Sequence, residues 1–347
     1  MGNPEREPVI ICTLLDESKA AIIPRIAARW RELDFGGRPV AVIACSQDAS
    51  KATKQAFAEA VGYTAVFVES PNVDKRVPGS DKLAKLAQEG TYSNVIFMHR
   101  LALLREAVRV QALKARFDQG PAKWFFWLDS DVDPRPDDAF LRLHKVLTAT
   151  RGPQKPRTAC GIYASRHWGG DINSKWIGEG AGLYVPLRPH RVQVCRVAGF
   201  GCALIPREVM ARIGWGGYET YRAHRRDALE LDPANGSGVL GEDIFWFWQL
   251  EQAGGAPPWV DTDVRCRHYQ ADGTFWRYEE HENGFLHAVY VTDDRDEAAT
   301  IRLVNDGPDP IEFACYNLSI QPGAEASVSP EVWNAIEARK LKARRVA

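Results

Sequence analysis

The 347-residue sequence predicts an α/β fold in which a doubly wound, mostly parallel sheet carries helices on both faces, followed by a small C-terminal β-rich module. Three observations predict this fold. Apolar strand-like runs alternate with helical segments through the first part of the chain. Five apolar residues in a row, at 124–128, are typical of a strand buried on both faces. Beyond about residue 285, polar and apolar positions alternate, which is typical of antiparallel strands.

The chain opens with three predicted strands. The apolar runs at 8–15, 38–45 and 64–68 form them, and each of the first two leads into a helix. Asp16 begins the segment that caps the first helix. None of these strands precedes a G-x-G-x-x-G or Walker A pattern, so neither a dinucleotide fold of the usual kind nor a P-loop is indicated.

The same alternation continues towards the C-terminus. Small residues near position 200 precede Pro206, which opens a short helix. The basic tail after residue 338 is predicted to end a last helix that begins at Pro330. The other predicted elements are helices at 94–117, from 137 and from 242, and strands at 124–128, 158–163, 259–268, 287–291, 299–304 and 311–316.

Charge and composition exclude some classes of function. Lys plus Arg (44) nearly balance Asp plus Glu (45), so the net charge of −1 creates no overall field for nucleic acid or an acidic membrane. The N-terminal residues lack the apolar segment of a secretion signal, and no apolar run approaches the length of a bilayer span. The seven cysteines show no C-x-x-C spacing, which favours reduced core thiols. We therefore expect a cytoplasmic protein without a membrane span.

Three carboxylates follow the apolar run at 124–128: Asp129, Asp131 and Asp133. In open α/β sheets, ligands bind at the carboxyl ends of the strands. Asp129 and Asp131 point the same way along an extended backbone, and such oxygen ligands suit Mg²⁺ or Mn²⁺ carrying a phosphate. A solvated acidic turn is the alternative. Asp133 precedes a proline and is predicted to be a turn residue.

Other residues have a chemical and a purely structural explanation. Arg100 and Arg105 could pair with a diphosphate or lie on a solvated helix face. The small residues around Phe200 allow close approach to a ligand or a tight packing turn. Glu242 and Asp243 begin a helix, where acids are also favoured by the helix dipole. His268 ends a strand and is a candidate metal ligand in its neutral form.

Together these elements resemble the nucleotide-sugar-dependent glycosyltransferases of the GT-A fold. The resemblance covers about residues 8–270 and rests on four motifs in order: Asp129-Ser130-Asp131, the segment 199–205, Gly241-Glu242-Asp243, and His268. It implies an enzyme that transfers a hexosyl or pentosyl group from a nucleoside-diphosphate sugar to an acceptor hydroxyl with the help of a metal. It also implies a catalytic domain at 1–284, with a donor half at 1–150 and an acceptor half at 151–284, followed by the β module at 285–347.

The resemblance further implies roles for individual residues. Mn²⁺ or Mg²⁺ would bridge the two phosphates of a UDP- or GDP-sugar. Asp243 would be the base if the transfer inverts the sugar, and a binding residue if the transfer retains its configuration; Glu242 would contact acceptor or sugar hydroxyls. The implied metal ligands are Asp129, Asp131 and His268; the donor-binding residues are Thr13, Leu14, Asp16, Arg100, Arg105, Asp129 and Ser130; the acceptor-binding residues are Gly199, Phe200, Gly201 and Trp246.

Two other classes of function remain as alternatives. A nucleotidyltransferase or sugar pyrophosphorylase shares the metal carboxylates but should carry a glycine-rich basic loop after the first strand, which is absent here. A non-catalytic sugar-binding protein is favoured only by the β module. The acceptor is left open among a glycan, a lipid, a protein, a small molecule and a hydroxylated DNA base. The basic tail and the basic residues at 222–226 make nucleic acid an acceptor to test, and the oligomeric state is not predicted.

Overall fold

An eight-stranded mixed sheet, built around the apolar run at 124–128, forms the centre of the computed structural model. The structure describes residues 7–46, 48–70, 93–149, 156–164, 187–215, 242–292, 301–313, 318–328 and 343–345. The sequence predictions for 71–92, 222–226, 330–342 and Gly241 therefore lie outside the described residues.

The described elements alternate as expected in an α/β chain. The helices are α1 (Ile23–Arg31), α2 (Lys51–Val61), α3 (Ser93–Lys114), α4 (Ala139–Ala149), α5 (Arg207–Arg212) and α6 (Glu242–Gln252), with a 3₁₀ helix at Glu17–Lys19. The strands are β1 (Val9–Leu15), β2 (Val40–Ser46), β3 (Thr64–Val68), β4 (Arg116–Phe117), β5 (Gly120–Pro121), β6 (Trp124–Leu128), β7 (Val132–Asp133), β8 (Ala159–Ile162), β9 (Val192–Val194), β10 (Cys202–Pro206), β11 (Trp259–Arg265), β12 (Arg267–Tyr269), β13 (Phe275–Glu280), β14 (Leu286–Val291), β15 (Ile301–Asn305), β16 (Ile311–Phe313), β17 (Leu318–Ile320), β18 (Glu325–Val328) and β19 (Ala343–Arg345).

The order of the central sheet is β3-β2-β1-β6-β10-β8-β11-β9. Strands β3, β2, β1 and β6 run parallel to one another, and so do β8 and β11. Strand β10 is antiparallel to both of its neighbours, β6 and β8. The predicted α/β fold is confirmed, with β10 and the edge strand β9, which pairs antiparallel with β11, as the exceptions to the parallel arrangement. Because β10 reverses direction, its amino end meets the carboxyl ends of β1 and β6 at one edge of the sheet.

Both faces of the central sheet are covered. All five residues of β6 are buried, and they alternate between two apolar cores. Phe125 and Trp127 pack with residues of α3 and α6, whereas Phe126 packs with residues of α1 and α4. Burying each such side chain contributes roughly 1.5–3 kcal/mol, which explains why the run at 124–128 forms the central strand. The predicted helices on both faces are thereby confirmed.

A second sheet stands next to the first, with the strand order β14-β13-β12-β7. Strand β7 follows the acidic motif, and it pairs antiparallel with β12 so that His268 lies opposite Val132. The sequence predicts one strand over 259–268, but the structure divides it at Cys266 into β11 in the first sheet and β12 in the second. The chain thus passes from the first sheet to the second at two points. One is the acidic motif, between β6 and β7, and the other is Cys266, just before His268.

Some other predictions need correction. Asp133 is not a turn residue: it belongs to β7, is buried, and accepts a hydrogen bond from Arg135 Nε at 3.0 Å. The helix predicted directly after β1 begins only at Ile23, because Asp16 caps a 3₁₀ turn by accepting from the Ser18 amide at 3.0 Å. The helix predicted over 94–117 ends at Lys114.

The C-terminal part contains antiparallel strands, as the alternating pattern predicts. Strand β15 pairs with β18 and β19, and β16 pairs with β17. Residues Ala343–Arg345 of the basic tail therefore form a strand where a helix or a frayed end is predicted. Strand β14 pairs with β13 across residue 284, so hydrogen bonding continues through the predicted domain boundary.

Two expectations about the chain as a whole concern membranes and thiols. No helix within the described ranges combines the length and the apolar character that crossing a bilayer requires. The six described cysteines are buried and not joined in disulfides. Burial raises the pKa values of Cys45 and Cys195, to about 11 and about 12 respectively, so these thiols stay protonated. Packing is therefore sufficient to explain them.

Candidate functional site

The acidic motif begins where β6 leaves the central sheet. The Asp129 amide donates to the Gly201 carbonyl at 3.1 Å, which extends the β6–β10 pairing by one residue. The Val132 amide then donates to the Asp129 carbonyl at 2.9 Å, and this turn directs the chain into β7. Backbone bonds therefore fix Asp129 and Asp131 at the edge where ligands bind in sheets of this class.

Asp131 lies in a buried ionic cluster with two basic side chains. Its side chain is 1% exposed and forms an ion pair with Lys19, whose side chain is 9% exposed. His268 Nε2 lies 3.3 Å from the same carboxylate oxygen, Oδ2. The amide of Tyr269 donates to the Asp131 carbonyl at 2.8 Å, so the β7–β12 pairing sets the position of the histidine. We call these three residues, Asp131, Lys19 and His268, the Asp131 cluster.

Backbone contacts determine which nitrogen of His268 carries the proton. Nδ1 is hydrogen-bonded to the carbonyl of Ala164, and a carbonyl only accepts, so Nδ1 is the donor. In the neutral ring Nε2 then carries a lone pair and faces the Asp131 carboxylate. A carbonyl behind the ring orients metal-binding histidines in the same way. The Lys19 ammonium pairs with the same Asp131 oxygen that faces Nε2.

A second ionic cluster lies on the other side of the acidic motif. Arg105 is 4% exposed and donates from Nη2 to Asp129 Oδ1 at 3.1 Å and from Nε to Glu242 Oε1 at 3.0 Å. Its guanidinium carbon lies 5.5 Å from the ring centres of both Trp127 and Phe200. Arg105, Asp129 and Glu242 form what we call the Arg105 cluster.

Burial and charge shift the pKa values of this cluster. Burial raises the pKa of Glu242 to about 7, although Arg105 acts to lower it; the nearby carboxylates Asp243 and Asp129 raise it further. Burial also disfavours the charged form of Arg105, but Asp129 and Glu242 more than offset this and raise its pKa. One guanidinium therefore serves two carboxylates, and Glu242 is the group that gains a proton near neutral pH.

Tyr163 connects the two clusters. Its ring packs edge-on against the His268 ring with centres 5.5 Å apart, and its hydroxyl accepts from the Gly201 amide at 3.0 Å. Burial raises its pKa, and the charges of Asp129 and Asp243 raise it further. Asp243 is thus close to the site, on the first turn of α6, where its Oδ1 accepts from the Ile244 amide at 2.8 Å.

The predicted acceptor residues lie under the site or against Tyr163. The rings of Phe200 and Trp246 are buried and pack against each other with centres 5.0 Å apart, so they support the site from below. A Cβ at Gly199 would lie 1.9 Å from the Tyr163 hydroxyl, and one at Gly201 would lie 2.7 Å from its Cζ. Both glycines are therefore required by the tyrosine ring, whether or not an acceptor binds there.

The remaining predicted donor residues lie in three places: at the end of β1, in the acidic motif and on α3. Thr13 is buried at the end of β1, where Leu14 is half-buried and Asp16 caps the 3₁₀ turn that carries Lys19. These residues lie at the edge where β1 and β6 end. The others are Ser130, which is buried within the acidic motif, and Arg100, which is half-buried on α3.

The structure brings together part of the predicted metal set. Asp131 and His268 meet, and their oxygen and imidazole nitrogen suit Mn²⁺ or Mg²⁺. The Asp129 carboxylate instead pairs with Arg105, and the described residues hold no ready group of three metal-binding side chains. The pair Asp131–His268 fits a divalent cation, with the Lys19 ammonium as the stand-in charge. Sequence reasoning missed Lys19, because a single lysine in a short turn gives no periodic signal.

Comparisons with known proteins give a likeness in structure only. No protein-family model matches the chain, and neither does any curated protein sequence. A mannosyltransferase from Pyrobaculum calidifontis, PcManGT, solved with GDP-Man and Mn²⁺, is 14% identical over 75% of this chain and 56% of that one, with a TM-score of 0.41. Core-mannan synthase A from Aspergillus fumigatus, in its Mn/GDP form, is 10% identical over 77% and 76%, with a TM-score of 0.40.

Mouse xyloside xylosyltransferase 1 is 12% identical over 74% of this chain and 84% of that one, with a TM-score of 0.39. All three are glycosyltransferases, the class that the sequence resembles. TM-scores this low do not assign a function. A proposal for the function has to rest on the residues of the two clusters.

Proposed function

We propose that this chain is a metal-dependent glycosyltransferase that moves a sugar from a nucleoside-diphosphate sugar to an acceptor hydroxyl. The observation that carries the proposal is the Asp131–His268 pair: an imidazole nitrogen and a carboxylate oxygen 3.3 Å apart, at the carboxyl end of the central strand. These two kinds of ligand atom suit a divalent metal, and this edge is where ligands, here a diphosphate, bind in such sheets.

The metal would be held by Asp131 and His268, and when bound it acts as a Lewis acid that neutralises charge on the departing diphosphate. Asp129 is the third proposed ligand, and its carboxylate would be shared between Arg105 and the metal. Arg105 holds Asp129 and Glu242 in place at the same edge.

Other residues of the site have proposed roles towards the acceptor and the nucleoside. We assign Asp243 as the base that takes the proton of the acceptor hydroxyl if the sugar is inverted, because it is less buried than Glu242. Glu242 is held by Arg105 at 3.0 Å and is 6% exposed, so it acts as a positioning residue through that guanidinium. Thr13, Leu14 and Asp16, at the end of β1, are the proposed site of the nucleoside.

A sugar pyrophosphorylase fits the described structure less well. Strand β1 passes directly into the 3₁₀ turn at Glu17–Lys19, where a glycine-rich phosphate loop would be needed. The six cysteines within the described ranges are buried and not joined in disulfides, which supports a reducing compartment, such as the cytoplasm, for the transferase.

The test is a mass-spectrometric screen of donor turnover across UDP-, GDP- and CMP-sugars, with Mn²⁺ and with EDTA. We expect turnover of one donor class that EDTA abolishes, and a loss of at least about 100-fold in Asp131→Asn, because the charged metal ligand is removed. Asp118→Asn is the matched control, since this aspartate is exposed on the turn between β4 and β5. Turnover that survives EDTA, or that Asp131→Asn leaves unchanged, contradicts the proposal.

A further inference from the structure

Lys19 is a buried amine to which the proposed reaction assigns no role. The residue ends the 3₁₀ turn after β1, and its side chain is only 9% exposed. A buried ammonium is retained only when it is paired, because removal from water costs several kcal/mol. The partner is Asp131, a residue 112 positions away in the chain.

The pair occupies a specific place in the site. Lys19 Nζ binds Oδ2 of Asp131, and His268 Nε2 lies 3.3 Å from that same oxygen. The ammonium therefore stands at the carboxylate oxygen that a cation would share with the histidine. A divalent ion that uses both Asp131 and His268 has to take this oxygen from Lys19.

We infer that Lys19 is a built-in counter-ion of Asp131 that a divalent metal must displace in order to bind. The inference rests on the proposed metal-dependent function and goes beyond it by naming the residue that limits metal affinity. In the metal-free chain Lys19 pairs with the carboxylate and holds it in place. When the metal binds, the ammonium leaves Asp131 and becomes a free positive charge at the edge where the donor's diphosphate would lie.

The first test measures Mn²⁺ binding by calorimetry or by electron paramagnetic resonance. Lys19→Met removes the competing charge, and we expect it to bind Mn²⁺ about tenfold more tightly or better than the natural chain, because no buried ion pair has to be broken. Lys19→Arg keeps a cation and should bind within about threefold of the natural chain. Lys51→Met, at an exposed lysine that begins α2, is the matched control and should change nothing.

A second measurement uses the natural chain, so it does not depend on the folding of a variant. Lysine acetylation by an N-hydroxysuccinimide ester is followed peptide by peptide with mass spectrometry. Lys19 should react slowly without metal and at least about threefold faster with saturating Mn²⁺, since a released amine is more accessible. The labelling of Lys51 should not respond to the metal.

The outcomes separate this inference from the proposed function. If the natural chain needs Mn²⁺ for transfer, but Lys19→Met binds Mn²⁺ no more tightly and Lys19 labelling does not rise, the inference is overturned and the function stands. If Asp131→Asn binds Mn²⁺ as well as the natural chain and transfer survives EDTA, the metal-dependent function fails, and the inference fails with it. Tighter binding in Lys19→Met together with faster labelling in the natural chain supports the inference.

Discussion

The two clusters on either side of Ser130 are built from the same kinds of side chain but in opposite proportions. The Asp131 cluster has one carboxylate for an ammonium and an imidazole. The Arg105 cluster has one guanidinium for two carboxylates, with a third, Asp243, close enough to influence them. Both are buried, so water screens neither well.

This difference in proportion gives two neighbouring carboxylates different chemistry. Where basic groups are in excess, the Asp131 carboxylate is paired with the Lys19 ammonium. Where carboxylates are in excess, burial is not fully compensated, and the pKa of Glu242 rises to about 7. Asp131 is thus a carboxylate paired with a cation, whereas Glu242 is a carboxylate that holds a proton near neutral pH. Four changes test this division, from the largest expected effect to the smallest.

Asp131→Asn should have the largest effect on stability. It leaves the Lys19 ammonium buried without its carboxylate, and we expect a loss of about 3–5 kcal/mol in the free energy of unfolding, measured by urea denaturation. The double variant Asp131→Asn, Lys19→Met removes both charges and should recover about half of that loss. Equal stability of the single and double variants would show that the ion pair with Lys19 does not matter.

Arg105→Met should destabilise the protein by about 2–3 kcal/mol at pH 8, because the buried carboxylate of Glu242 and the half-buried carboxylate of Asp129 lose their cation. The loss should be smaller at pH 5.5, where Glu242 takes a proton and no longer needs the guanidinium. Arg116→Met, at an exposed position after α3, is the control for removing an arginine. A loss that is independent of pH would mean that the Arg105 cluster holds no excess negative charge.

Glu242→Gln tests the raised pKa directly. In the folded chain the pKa of Glu242 is about 7, above its unfolded value, so the folded state binds more protons between the two values. Stability must therefore fall as the pH rises, by about 2 kcal/mol between pH 5.5 and pH 8 for this group alone. Urea denaturation across this range should show that decrease in the natural chain and a shallower slope in Glu242→Gln. Parallel slopes in the two proteins would contradict the prediction.

Tyr163→Phe should have the smallest effect. It removes the hydrogen bond from the Gly201 amide and should cost about 1 kcal/mol. The pH dependence of stability should stay as in the natural chain, because the ring keeps its contact with His268 and carries no ionised group near pH 7. A changed pH dependence of stability would mean that Tyr163 couples the two clusters electrostatically as well as by packing.

Much of the central sheet follows from the sequence alone. Strand β6 is predictable because five consecutive apolar residues have no other stable place than a doubly covered sheet. The resemblance implies that Asp131 and His268 meet, and in the structure the two side chains lie 3.3 Å apart. The division of the run 259–268 at Cys266 is not, because a change of sheet leaves the alternation of side chains intact.

The partners of the site residues are harder to predict than their positions. Lys19 approaches Asp131 only because β1 lies beside β6, a fact of sheet order that no local pattern contains. The sequence leaves Arg105 open between a diphosphate ligand and a solvated helix face, and the structure shows that it is buried and bridges Asp129 and Glu242. Gly199 and Gly201 are explained by their packing against the Tyr163 ring. Glycine content alone could not distinguish this explanation from a ligand site.

The long sequence separations in both clusters have a consequence for how the chain is made. Lys19 and Asp131 are 112 residues apart, and Arg105 and Glu242 are 137 apart. Contacts over such distances form late, after the local strands and helices. The Arg105 cluster can form only once α6 has been synthesised, and the Asp131 cluster only once β12 has been. If Asp131 and His268 hold a divalent cation as proposed, manganese uptake would be a practical reporter that the chain has been made and folded as far as β12.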